Sequence, residues 1–152
     1  MLIEKNIGKL PVTNSMYKNL KILRLLLFAG AIYFFLVATF HFAGMKIPPF
    51  YIYYNVPSNV YQDKIISFLA FGWSVFLFTV FLNPIKNRML INAILIAGVG
   101  AIIGLEVINT FTDFKTLSID LNPTIYRLET LGLAIYLVLL MIYYNKSKNQ
   151  LK

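Results

Sequence analysis

Four long stretches of this chain carry almost no charge, and that narrows its possible folds more than any other property. No Lys, Arg, Asp or Glu occurs from Leu25 to Met45 or from Ile65 to Ile85, and from Met89 to Thr112 the only one is Glu106. A fourth run, Thr130 to Asn145, is shorter, but Asn122 to Arg127 extends it as a helix start. A hydrocarbon core about 30 Å thick takes about 20 mostly apolar helical residues to cross. Spans are therefore expected near 22–43, 62–82, 88–111 and 124–144. Backbone polar groups in lipid must pair inside their own element, so these runs read as helices. Strand alternation, the mark of a membrane barrel, is missing. The breaks agree. Asn83-Pro84 closes the second run, Asn59 with Gln62 opens it, and Asn122-Pro123 reads as an N-cap followed by proline at the first helical position.

Composition excludes the other classes. Of 152 residues, 59% are hydrophobic and 13% charged, against about 25% charged in an average soluble domain. A soluble chain this small cannot hide that much apolar surface, and a disordered one would be poorer in it. The absence of cysteine excludes a disulfide scaffold and thiol redox chemistry. The expected fold is all-α, an integral membrane four-helix bundle. A basic cytoplasmic or interfacial segment, 1–21, precedes the bundle at 22–145, and a basic tail, 146–152, follows it. The first span is longer than an ordinary signal-peptide core and is expected to stay in place. The segment before it either lies on the membrane through Leu2, Ile3, Ile7 and Leu10 or forms a loose basic tail.

Charge sets the expected orientation. The N-terminal segment, the connection holding Lys86 and Arg88, and the C-terminal tail together carry ten basic residues and one acid, Glu4. The other side carries Lys46, Lys64, Lys115 and Arg127 with Asp63, Glu106, Asp113, Asp120 and Glu129. The positive-inside rule then puts both termini in the cytoplasm. The expected location is a bacterial cytoplasmic (inner) membrane. Topology and anionic headgroups account for the basic excess. No nucleic-acid partner is expected; the partners are membrane lipid, a partner helix or a second copy.

In that orientation His41, Asp63, Glu106, Asn109, Arg127 and Glu129 share one depth near the outer surface. Glu106 lies inside a span, on a stripe with Asn92, Val99 and Asp113, and is expected to face the bundle interior or a water-filled cleft. It reads either as a proton acceptor, metal ligand or anchor for a cationic ligand, or as half of a structural pair with Arg127, Lys64 or a tyrosine. His41 reads as a proton-transfer group or as a satisfied interfacial side chain. Arg127 is expected to anchor at the boundary by snorkelling. No metal or cofactor is expected, since none of these residues has a local ligand spacing. On the opposite side of the third span, Ala97, Gly100 and Gly104, with Ala93 and Ala101, make a small-residue face suited to close helix packing. The first outer loop, Lys46 to Ser58, is rich in aromatics and proline, including Tyr51 and Tyr54. It reads either as a lid over the polar cluster or as an interfacial belt.

No serine elbow, phosphate loop or dinucleotide fingerprint is present, and Gly98–Gly104 lies inside a span with no strand before it. Arg24 ahead of a glycine-containing span ending in Gly44-Met45-Lys46 resembles the first helix of the DoxX-like class of small four-helix bacterial membrane proteins. The second span lacks the acidic residue that class would imply. The Arg/Glu/His/Asn-rich second helix of the membrane-associated eicosanoid and glutathione transferases is absent. The leading expectation is a non-enzymatic protein that binds an amphipathic small molecule, lipid or partner helix at the outward polar cluster. The alternatives are an intramembrane enzyme or proton-coupled carrier using Glu106 and His41 as acid and base, and an accessory subunit docking through the small face of span three.

Overall fold

The computed structural model describes residues 14–117 and 121–148. Leu2, Ile3, Ile7 and Leu10, Asp120 and Lys152, on which part of the sequence reading rests, lie outside the described residues. Those described form helices and connections, with no strand: α1 (Asn14–Ala43), α2 (Val60–Leu82), α3 (Arg88–Phe111), the single turn α4 (Phe114–Leu117) and α5 (Pro123–Ser147). Tyr17–Ala43 of α1, together with α2, α3 and α5, are four segments long and apolar enough to cross a membrane.

The helix ends follow local chemistry. α1 stops at Gly44, whose φ of +67° is a left-handed conformation that glycine adopts without penalty. The Gly44 and Met45 N–H groups donate to the His41 and Phe40 carbonyls at 3.2 and 2.9 Å, the paired bonds of a Schellman ending. At the start of α2 the Asn59 N–H donates to Gln62 Oε1 at 3.4 Å. At its end Pro84, with no N–H to donate, stops the helix, and the Asn87 side chain donates to the carbonyls of Thr79 and Asn83. Asn122 accepts from the Thr124 N–H at 3.1 Å, with Pro123 in the first turn of α5.

α1 packs along α2 and also against α5; α3 packs on α5 and touches α2. Leu23, Leu27, Leu77, Val80, Ile91 and Leu140 form the main core. The Ser74 hydroxyl crosses from α2 to the Ala31 carbonyl at 2.9 Å, and the Tyr136 hydroxyl crosses from α5 to the Leu26 carbonyl at 3.1 Å. Gly30 admits Tyr136 so closely that a Cβ there would collide with its hydroxyl. The outward faces are as apolar as the core: Phe68, Ile96 and Leu128 are each at least 60% exposed. Helices that are apolar all round fit a hydrocarbon surrounding.

Two expectations for α3 turn out differently. Of the polar residues Asn92, Glu106, Asn109 and Thr110, only Asn109 is buried. It lies about 60° round the helix from Glu106, enough to turn one inward and leave the other exposed. Asp113 has left the helix; its carboxylate accepts from the Lys115 N–H at 3.1 Å and caps α4. Ala97, Gly100 and Gly104 are exposed, and a Cβ added at either glycine would meet nothing within 4 Å among the described residues. Inside this chain the close approach of α3 is made at Gly98, against Leu137 of α5.

Candidate functional site at the capped end

Residues 44–59 fold back across one end of the helices, and the candidate site is built there. Phe50 stacks on Phe40 with ring centres 5.3 Å apart, the Tyr33 hydroxyl donates to the Pro49 carbonyl at 3.2 Å, and Ile52 packs on Val37, Ala38 and Ala70. An apolar segment of this kind gains by covering the helix ends and leaves its backbone groups to find partners there.

His41 supplies one of those partners. It is 1% exposed, its ring stacks on Tyr51 at 4.0 Å, and its Nε2 accepts from the Ile52 N–H at 3.1 Å. An accepting Nε2 carries no proton, so the neutral ring has its proton on Nδ1. Nδ1 faces Asp63 Oδ1 at 3.9 Å, beyond a direct hydrogen bond, and neither atom has another partner among the described residues. The chain of contacts continues from Asp63 Oδ2 to the Ser58 hydroxyl at 3.0 Å and on to the Tyr51 hydroxyl at 3.3 Å. Burial, followed by the nearby Asp63 carboxylate, pushes the Tyr51 hydroxyl above its ordinary pKa. His41, Asp63 and Tyr51 thus form one group that fastens the segment to α1 and α2.

A second group fastens it to α3 and α5. Tyr53 donates to Asn109 Oδ1 at 3.0 Å, and Asn109 donates to the Thr130 hydroxyl at 2.9 Å. The Thr130 hydroxyl in turn donates a hydrogen bond to the Tyr126 carbonyl at 3.0 Å. Phe114 and Tyr126 enclose the Tyr53 ring, and Tyr54 lies edge-on to Tyr126. Tyr53 holds a left-handed backbone, φ +55°, which costs a bulky residue about 1–3 kcal/mol. The aromatic cage and the bond to Asn109 offset that cost. Burial first, and then the nearby charges of Glu106 and Glu129, push the Tyr53 hydroxyl up to about 12.

Glu129 borders a cleft of 610 Å³ between α1 and α5, lined by Gly30, Tyr33, Leu128, Gly132 and Tyr136 and roofed by Pro48 and Pro49. Among the described residues its Oε1 is buried without a hydrogen-bond partner. A separate apolar groove of 350 Å³ runs between α2, α3 and α5 past Trp73, Ile94, Gly98 and Leu137.

The residues expected to share one depth are therefore sorted into different surroundings. His41 joins Asp63 and Tyr51, Asn109 joins the Tyr53 group, and Glu129 faces the cleft. Glu106 is exposed on α3 and accepts from Thr110 one turn on, at 3.4 Å. No hydrogen bond or ion pair joins it to His41 among the described residues. Arg127 is exposed. Sequence reasoning does not single out Tyr33, Tyr53 or Thr130; the only signal for the tyrosines is the density of aromatics around the capping segment. Among the described residues no set of three or more His, Asp or Glu side chains could hold a metal. Comparison with protein-family models, with curated proteins and with solved structures finds no match. The likeness to the DoxX-like class rests on the sequence features given above.

Proposed function

We propose that this chain is a small membrane protein of the bacterial cytoplasmic membrane, a four-helix bundle with both termini inside, that binds an amphipathic small molecule or lipid at its outward, capped end. One observation carries the reading: a cleft large enough for such a ligand, apolar along its walls, has a single carboxylate, Glu129, in its lining. Binding sites for small molecules take this form, apolar surface with a few placed polar groups. The orientation is supported by the charge asymmetry, with Lys86 and Arg88 at the far end from the cap.

A second reading has its own support. The exposed small residues Ala97, Gly100 and Gly104 leave α3 open to a partner helix or a second copy, as an accessory subunit would need. Gly132 separates the two. It lines the cleft and has nothing within 4 Å of a Cβ, so Gly132→Trp fills the cleft and leaves α3 untouched. Wild-type protein should retain an amphipathic molecule through purification, identified by mass spectrometry of the extract, and Gly132→Trp should lose it. Identical extracts from the two proteins would reject the cleft as the binding site.

A further inference from the structure

The hydrogen-bond inventory of the cleft points to the chemistry of its ligand, and this rests on the amphipathic-ligand reading above. Two hydroxyls line the cleft, and both protons are spent: Tyr33 donates to the Pro49 carbonyl and Tyr136 to the Leu26 carbonyl. The roof is Pro48 and Pro49, and proline has no N–H to offer. Among the described residues no lysine, arginine or histidine lines the cleft. What remains uncommitted is an acceptor, the Glu129 carboxylate, which lines the cleft and makes no hydrogen bond or ion pair among the described residues. Such a site is satisfied by a ligand that brings a donor, and the charge of a carboxylate is matched by a donor that is also a cation.

We propose that the cleft takes a single-chain amphiphile with a primary ammonium head, its N–H on Glu129 and its alkyl tail along the glycine-lined wall of Gly30 and Gly132. A hydroxyl head brings the donor without the charge. A trimethylammonium head brings the charge without an N–H. The three heads on one tail therefore separate the contributions.

The test uses the full-length protein in nanodiscs of phosphatidylcholine, whose own head has no N–H, titrated near neutral pH with dodecylamine, dodecanol or dodecyltrimethylammonium and read by native mass spectrometry. Dodecylamine should occupy the protein about tenfold more tightly than either of the others, as expected for a charge-assisted hydrogen bond. That preference should vanish in Glu129→Gln, an isosteric change that keeps the fold. Equal binding of all three, abolished by Gly132→Trp, would overturn the ammonium assignment and leave the cleft reading standing. Binding of all three that Gly132→Trp does not alter, or no binding at all, would overturn both.

Discussion

At the scale of single residues, His41 acts through its lone pair. Its Nε2 holds a backbone N–H of the capping segment, and the stacked Tyr51 closes the other side of the ring. His41→Phe keeps an aromatic ring and removes the acceptor, so the Ile52 N–H is left unpaired. The expected cost is about 1–3 kcal/mol, read as a lower denaturation midpoint in detergent. Tyr53 gives a pH dependence whose sign is fixed. Its hydroxyl sits near 12 in the fold against 10.0 ordinarily. The stabilisation by its neutral form is complete below pH 10 and declines as pH rises toward 12. Tyr53→Phe should remove that part of the alkaline loss, seen by comparing the two pH–stability curves. That His41, Asp63, Asn109 and Glu129 lie toward one end of the helices was legible, because helix length fixes position along the axis. Which neighbours they meet was not, because that depends on azimuth and on how the loop folds back. Three residues along α3 separate the buried Asn109 from the exposed Glu106.

At the scale of elements, the helix boundaries set by local chemistry were readable: Asn83-Pro84, Asn122-Pro123, and Asn59 with Gln62 all stand at helix ends, whereas α1 starts at Asn14, eight residues before the expected span. The packing faces were not. In a soluble helix the apolar stripe marks the core, but here the outward residues are as apolar as the inward ones. Glycine spacing gives no better guide. Gly100 and Gly104 have the letters of a close-packing pair and meet nothing, whereas Gly30, with no such spacing, lies against Tyr136. Gly30→Leu should therefore force Tyr136 from its bond to Leu26 and cost about 1–3 kcal/mol by overpacking. Gly104→Leu should leave the stability of the isolated chain unchanged. A thermal-melt comparison of the two variants in detergent checks both, and equal destabilisation would contradict this packing of α1 on α5.

At the scale of the whole molecule, the polar groups gather at one end, under an aromatic cap, and the basic residues of the α2–α3 connection lie at the other. Residues 44–59 are tied to α1 and α2 through His41 and Asp63 and to α3 and α5 through Asn109 and Thr130. Carboxylate, cleft and cap then form one outward-facing mouth if the helices thread the bilayer in alternating directions. The chain has no cysteine of its own, so each introduced thiol reports one position alone. Labelling intact cells with a membrane-impermeant maleimide reads the topology, using Asn55→Cys in the cap and Lys86→Cys in the α2–α3 connection, both exposed positions. The account predicts that the Asn55→Cys protein is labelled directly and the Lys86→Cys protein only after the membrane is permeabilised. Direct labelling of both, or the reverse order, would contradict it.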